Sequence, residues 1–257
     1  MNLHDEYIAL ITIIRKEVTR FLRIWTQTLL PPVVTQALYF VIFGKFVGSK
    51  IGDIHGISYM GFIVPGLVMM SVINNSFANV VSSFFGSKFQ RNIEELLVSP
   101  APNWVILGGY AAGGILRGIL VGIIVFTVSV FFVHPQIYNL GIIVVFVILT
   151  SVVFSLAGFL NGVFAKKFDD VSIFPTFGLT PLTYLGGVFY SIHHLPPVWQ
   201  KLSHLNPILY MVNGFRYGFY GISDVNVLLS FFILLILGIA LTTANLYLLH
   251  KGTGMKS

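Results

Sequence analysis

Cysteine is absent from the 257-residue chain and charge is scarce, with 15 Lys+Arg and 9 Asp+Glu making up only 9% of it. The first absence removes disulfides, thiolate metal sites and cysteine nucleophiles together, while leaving the compartment undecided. The second is the stronger constraint. A soluble domain of this length carries about 25% charged residues, about 64 side chains, so the chain has too little polar surface to be one. With 56% hydrophobic residues, it reads as an integral membrane protein. Six crossing helices of about 20 residues would take roughly half of it, leaving short loops and no room for a soluble domain. The net charge of +6 comes without a run of five or six like charges, so it marks topology and not a nucleic-acid footprint. Asp5, Glu6, Arg15, Lys16, Glu17, Arg20 and Arg23 all precede the first long apolar run, the wrong order for a cleavable signal peptide.

Energy-coupling chemistry is missing as well. The acidic residues Asp5, Glu6, Glu17, Asp53, Glu94, Glu95, Asp169, Asp170 and Asp224 are all expected in loops or interfacial segments, as are the histidines His4, His55, His134, His193, His194, His204 and His250. Proton- and cation-coupled carriers use intramembrane carboxylates or histidines, so ion coupling is disfavoured. No Gly-x-x-x-x-Gly-Lys-Ser/Thr loop is present to cradle nucleotide phosphates. If transport is driven, the motor is another polypeptide. His193, His194 and His204 lack a carboxylate companion and read as interfacial polar residues, with no metal site expected. No nucleophile elbow or zinc-protease helix motif occurs, so no catalytic residue is expected.

The expected fold is all-α. Residues 3 to 24 repeat Tyr7, Leu10, Ile11, Ile14, Val18, Phe21, Leu22 and Trp25 at steps of three and four, opposite Lys16, Arg20 and Arg23, which predicts an interfacial amphipathic helix with its basic face toward anionic lipid. Six spans follow at about 25–47, 59–85, 104–132, 140–164, 171–190 and 227–249, each near bilayer length. With both termini cytoplasmic, the inner flanks collect Arg15, Lys16, Arg20, Arg23, Lys88, Arg91, Lys166, Lys167, Lys251 and Lys256, against Lys45, Lys50, Lys201 and Arg216 outside, as the positive-inside rule requires. Arg117 is the one cation within a span and is expected to snorkel from its inner edge. Residues 191–226 are too apolar for a loop yet are cut by Pro196, Pro197, Pro207, Arg216 and Asp224. They predict two short helices, about 197–205 and 207–220, that enter the outer leaflet and return, covered by protein or lining a path.

Three features carry functional content. Residues 86–100 predict a short cytoplasmic helix with Phe89, Ile93, Leu96 and Leu97 on one face and Lys88, Arg91, Asn92 and Glu95 on the other, stopped by Pro100 and Pro102. Its spacing suits the lipid surface or the groove of a soluble partner equally. Span two carries Ser71, Asn74, Asn75, Asn79, Ser82 and Ser83, mostly on one stripe, which either bond a neighbouring helix or face a wet path. Span five is broken by Pro175, Gly178, Pro181 and Gly186-Gly187 and carries Thr176, Thr180, Thr183 and Tyr184, a bent helix suited to movement or path lining. Gly114, Gly118 and Gly122 form a small-residue stripe for close helix packing.

These features resemble the membrane subunits of ABC transporters of the ABC-2 type, in particular the small YadH-like permeases of Gram-negative inner membranes. The resemblance runs through Phe-Ile-Val-Pro-Gly-Leu at 62–67, Phe-Gln-Arg-Asn-Ile-Glu-Glu-Leu-Leu-Val at 89–98, Asn-Gly-Val-Phe-Ala-Lys at 161–166, Pro-Leu-Thr-Tyr-Leu-Gly-Gly-Val-Phe-Tyr at 181–190, Leu-Asn-Pro at 205–207 and Gly-Phe-Arg-Tyr-Gly at 214–218. It implies a homodimeric exporter subunit of the bacterial inner membrane with two copies of a separate, YadG-like ATPase. ATP and magnesium belong to that partner, and no cofactor is expected in this chain. Residues 3–24 would be the connecting helix and 86–100 the coupling helix, with Lys88, Phe89, Arg91, Asn92, Ile93, Glu94, Glu95, Leu96 and Leu97 meeting the ATPase. Spans two and five would flank the path and dimer axis through Ser71, Asn74, Asn75, Asn79, Ser82, Thr176, Thr180, Thr183 and Tyr184. The outer helices, with Trp199, Asn206, Pro207, Phe215 and Arg216, would cap it. The cargo would be an amphiphilic or polar drug, lipid or glycan. The rival reading is an ATPase-independent pore or secondary carrier.

Overall fold

A computed structural model describes residues 2–54 and 56–254, so His55 and Lys256 lie outside the described residues, as does the side chain of Lys45. The chain is helical nearly throughout. Helix α1 spans Leu3–Arg23, α2 Trp25–Thr28 and α3 Leu30–Tyr39, continued by a π-helical stretch Phe40–Val47 and by α4, Gly48–Ile51. A two-stranded antiparallel hairpin, β1 Asp53–Ile54 and β2 Ile57–Ser58, leads into α5, Tyr59–Phe89. Then come α6 Asn92–Val98, α7 Asn103–Val130, α8 Leu140–Phe164 and α9 Phe168–Ile173, a second π stretch Phe174–Leu179, α10 Thr180–Leu185, a 3-10 turn Ile192–His194, α11 Pro197–His204, α12 Pro207–Tyr220 and α13 Val227–Lys251.

Among the described residues five helices are long and apolar enough to cross a bilayer: Trp25–Gly44, Tyr59–Phe89, Asn103–Val130, Leu140–Phe164 and Val227–Lys251. The expected fifth span is a composite of α9, π stretch and α10. Pro175 and Pro181 each lack an N–H, so the α-helical ladder gives way there. Phe168 at its start packs on Phe85 and Phe89, and Phe189 just beyond its end accepts a hydrogen bond from the Tyr59 hydroxyl at 3.1 Å. The composite segment therefore runs the length of α5. Ile13 of α1 and Leu249 of α13 join the same core cluster as Ile93 of α6, so both terminal helices reach the end of the bundle that carries α6.

Helix α5 is the central element, enclosed on most sides by α7, α8 and α12, whereas α13 exposes most of its length. The small-residue stripe on α7 explains this approach. A Cβ on Gly114 would meet Ser155 Oγ at 2.5 Å and the Ser76 carbonyl at 2.8 Å, and one on Gly118 would run into Ser76 Oγ. Gly118→Val is accordingly expected to force α5 and α7 apart at a cost of about 1–3 kcal/mol, the usual range for an overpacked core. A lower melting temperature and loss of the monodisperse gel-filtration peak would report it. Unchanged melting would show that the two backbones separate freely.

Candidate functional site

Where α5 ends, the chain breaks once before α6. Arg91 adopts φ 63°, a left-handed conformation that interrupts a helix. The expected continuous helix over 86–100 is thus two elements, with Lys88 and Phe89 on the last turn of α5. Lys88 is not on a solvated face: it is buried, and its ammonium donates to the Val163 and Ala165 carbonyls, both at 2.8 Å, closing the C-terminal end of α8. The apolar face of α6 turns into the chain's own core, with Ile93 enclosed and Leu96 and Leu97 half-buried against it. What α6 presents outward is Asn92, Glu94, Glu95 and Val98, beside exposed Phe89 and Arg91.

The polar residues of span two separate into two rows. Ser71, Asn75, Asn79 and Ser83 face inward, while Asn74, Ala78 and Ser82 are exposed. Inward, Ser71 donates to the Leu67 carbonyl and Asn75 Nδ2 to the Ser71 carbonyl, both at 3.0 Å. Ser83 Oγ donates to Glu17 Oε1 at 2.6 Å, and Glu17 Oε2 pairs with Arg20 at 3.2 Å. The same guanidinium donates to Asn79 Oδ1 at 2.8 Å and to the Asn79 carbonyl at 3.1 Å. Arg117 donates to Asn75 Oδ1 at 3.1 Å and to the Thr28 carbonyl at 3.2 Å.

Two expectations change here. Arg117 ties α2 to α5 through protein oxygens and does not snorkel. Glu17, expected on a lipid-facing or solvated surface of an interfacial helix, is instead fully enclosed against α5 and α7. Helix α1 climbs alongside α7, with Ile13 over Gly109 and Glu17 over Gly113, and its inward stripe is Ile13, Glu17 and Phe21. That i, i+4, i+8 spacing was the signal that could have found Glu17.

On the composite segment Thr176, Thr180 and Tyr184 are exposed, and Thr183 is buried, donating to the Leu179 carbonyl at 2.7 Å. Thr180 Oγ1 donates to the Pro175 carbonyl at 3.0 Å, which also accepts the Thr180 backbone N–H that closes the π stretch. Tyr184 lies 3.4 Å from the Tyr39 hydroxyl and stacks on Phe189.

At the end of the bundle opposite α6, Asn206 caps α12 by accepting from the Ile208 N–H at 3.0 Å and donates to the Leu182 carbonyl at 2.6 Å, with Pro207 in the first turn. Phe215 and Arg216 are buried, and Trp199 is exposed. Arg216 lies 3.8 Å from the Phe62 ring centre and donates to the Gly187 carbonyl at 2.7 Å. His193, His194 and His204 are exposed, and among the described residues no group of three His, Cys, Asp or Glu could hold a metal.

Comparison with known proteins agrees with this architecture. The family profile "ABC-2 type transporter" matches residues 8–220. The chain is 59% identical over 255 residues to "Inner membrane transport permease YadH" of Escherichia coli (strain K12), covering 99% of this chain and 100% of that protein. More distant is "Nodulation protein J" of Sinorhizobium fredii (strain NBRC 101917 / NGR234), 25% identical over 174 residues, 67% of this chain and 66% of that one. "Nodulation protein J" of Neorhizobium galegae is 21% identical over 203 residues, 79% and 78% of the two chains. The chain belongs to the ABC-2 type transporter family and is a multi-pass permease subunit of the inner membrane.

Proposed function

We infer that the chain is half of a homodimeric, ATP-driven exporter that moves an amphiphilic or polar substrate outward, powered by two copies of a YadG-like ATPase docked at α6. The observation that carries this reading is the exposed strip of α5. A helix otherwise enclosed by its own chain leaves Asn74, Ala78 and Ser82 uncovered, and the composite segment packed against it exposes Thr176, Phe177, Thr180 and Tyr184. A second copy placed against this face would enclose a path lined by amide, hydroxyl and aromatic groups without a carboxylate. The inward row, Ser71, Asn75 and Asn79, supports that path from behind and does not line it, and buried Thr183 belongs with it.

Several observations favour a six-crossing topology with both termini inside. Both terminal helices reach the α6 end, the composite segment runs the length of α5, and α11 and α12 remain at the opposite end. Lys88, Arg91, Lys166, Lys167 and Lys251 fall at the α6 end. On this reading ATP-driven closure of the ATPases displaces α6, and the rigid α5 carries that displacement to the dimer face.

Reversing both outward carboxylates, Glu94→Lys with Glu95→Lys, is expected to lower co-purification of the ATPase and its stimulated turnover by about tenfold, the effect of losing roughly 1.4 kcal/mol of binding. Substrate moved by proteoliposomes that lack any ATPase, down its gradient alone, would overturn the reading.

A further inference from the structure

Helix α1 keeps a basic face that its own chain does not neutralise. Thr12, Arg15, Lys16, Thr19, Arg20 and Arg23 border a groove of about 500 Å³, and all but Arg20 are exposed. Glu17 is the one carboxylate of α1 beyond its first turn, and both its oxygens are taken, by Ser83 and by Arg20. Among the described residues that pair with Arg20 is the only ion pair, so Arg15, Lys16 and Arg23 have no carboxylate partner there.

Arg20 brings this face to the exposed strip of α5. Its Nε and Nη2 bond Glu17 and Asn79, while Nη1 has no partner among the described residues. The Asn79 carbonyl that accepts from Arg20 at 3.1 Å also accepts from the Ser82 hydroxyl at 3.1 Å. The guanidinium therefore sits at the edge of the row formed by Asn74, Ala78 and Ser82. One turn further along α5, Arg117 is bonded to Asn75. Two guanidiniums against one carboxylate leave positive charge beside a strip of amide and hydroxyl groups.

Depth adds the second constraint. Asn79 lies twenty residues beyond Tyr59 on α5, about 30 Å along the axis, which is the thickness of the hydrocarbon core. With the α6 end in the cytoplasm, Arg20 stands where the inner-leaflet headgroups begin. Exposed Trp25, little more than a turn further on, is a residue type that settles at such a boundary. An amphiphile entering the strip from the inner leaflet would hold its tail in hydrocarbon and its head against these cations. Guanidinium groups bind phosphate and carboxylate through paired, charge-assisted hydrogen bonds, and a cationic head would be repelled at the same place.

We propose that the exported amphiphile carries an anionic, phosphate-type headgroup, and that Lys16, Arg20 and Arg23 of α1, with Ser82 of α5, receive it at the inner mouth of the path. This rests on the ATP-driven exporter reading and narrows its cargo to one charge class.

Thr19→Cys, inside the groove of a chain without native cysteine, reports occupancy of the site. The variant, assembled with a YadG-like ATPase in phosphatidylcholine nanodiscs, would be labelled with a water-soluble maleimide against rising dodecyl phosphate, dodecyl maltoside or dodecyltrimethylammonium. The three share one tail and differ in headgroup charge. Dodecyl phosphate is expected to half-protect the thiol at a concentration about tenfold below the other two, the preference that one charge-assisted contact supplies. Lys16→Gln with Arg23→Gln should remove that preference, and both side chains are exposed and outside the Glu17 network, so the fold does not depend on them. Trapping the ATPases closed with ATP and vanadate should abolish protection, because a ligand held on the path is expelled whereas a resident lipid at the rim stays. Equal protection by all three amphiphiles overturns the anionic class and leaves the exporter reading standing. A preference that survives Lys16→Gln with Arg23→Gln puts recognition elsewhere and overturns the site. Protection that persists in the trapped complex assigns the groove to a resident inner-leaflet lipid and overturns its role in cargo selection. Failure of Thr19→Cys to label without amphiphile would show the groove to be closed and would overturn the proposal too. Absence of trapped nucleotide overturns the ATP-driven reading, and the proposal with it, and is measured independently of the headgroup series.

Discussion

Glu17→Ala is expected to destabilise the protein by about 3 kcal/mol, the lower end of the cost of breaking a buried ion pair by removing one partner. The lower end applies because Glu17 is fully enclosed whereas the Arg20 side chain remains 29% exposed. The loss has three parts. Ser83 forfeits its 2.6 Å acceptor, Arg20 keeps its bonds to Asn79 without a neutralising carboxylate, and the second guanidinium, Arg117, bonded one turn of α5 away at Asn75, is left near an unneutralised Arg20. For a chain of this size the change corresponds to a fall in melting temperature of roughly 6–12 °C. Glu17→Gln retains an acceptor for Ser83 and should lose less. Thermal unfolding in lipid nanodiscs measures both. Equal melting of the native protein and Glu17→Ala would show that α1 is held by its apolar contacts alone, and that the ion pair is incidental.

The same cluster shows where the sequence stopped being readable. Helix α8 was expected at 140–164 and is found at Leu140–Phe164, because Asn139 caps its start and Ala165 leaves the helical region before Lys166 and Lys167. Helix α13 starts where expected for the same kind of reason, an Asn226 cap. The facing of α5 was a different problem. Rows 71/75/79/83 and 74/78/82 sit only about 60° apart around the helix, so both belong to one polar stripe in any helical projection. What turns one row inward is Glu17 and Arg20, some sixty residues away, and no local pattern encodes that pairing. The composite fifth segment was half legible. Pro175 and Pro181 announce a broken ladder, but whether it breaks into a kink or a π stretch depends on which donors, such as the Thr180 hydroxyl and N–H on the Pro175 carbonyl, replace the missing ones.

Scarcity of charge also gains a sharper meaning. Of the few charged groups, Glu17, Arg20, Lys88, Arg117 and Arg216 are spent inside the chain, each bonded to another helix or a turn. They fasten the elements around α5 and leave Asn74, Ser82, Thr176, Thr180 and Tyr184 as the exposed polar groups of the proposed path. A carrier coupled to protons would use a carboxylate or histidine on that face, and none of these five is one.

Arg216→Ala should be still more costly than Glu17→Ala, at about 4 kcal/mol, because the side chain is 1% exposed and works at several points at once. Its guanidinium lies against the Phe62 ring, a desolvated cation–π contact worth about 2 kcal/mol. It also donates to the Gly187 carbonyl at 2.7 Å, a bond to a charged donor worth about 1.5–3 kcal/mol. Gly187 has φ 72° and sits where the composite segment turns toward α11, so its carbonyl has no helical ladder to return to. Arg216→Met separates the two contributions. It refills the volume that alanine empties, so it should recover part of the loss, but it leaves Gly187 without that donor and should stay about 2 kcal/mol below the native protein. Arg216→Lys keeps a charge but not the planar fork that covers Phe62 while reaching Gly187, and should not restore full stability. Replacing a buried cation by a hydrophobic side chain is neutral or favourable where the charge was poorly satisfied, so a methionine variant that melts with the native protein would mean that Arg216 does not hold the turn. Melting below the native protein in all three variants, with alanine lowest, would identify Arg216 as the clasp that joins α12 to the end of the composite segment opposite α6.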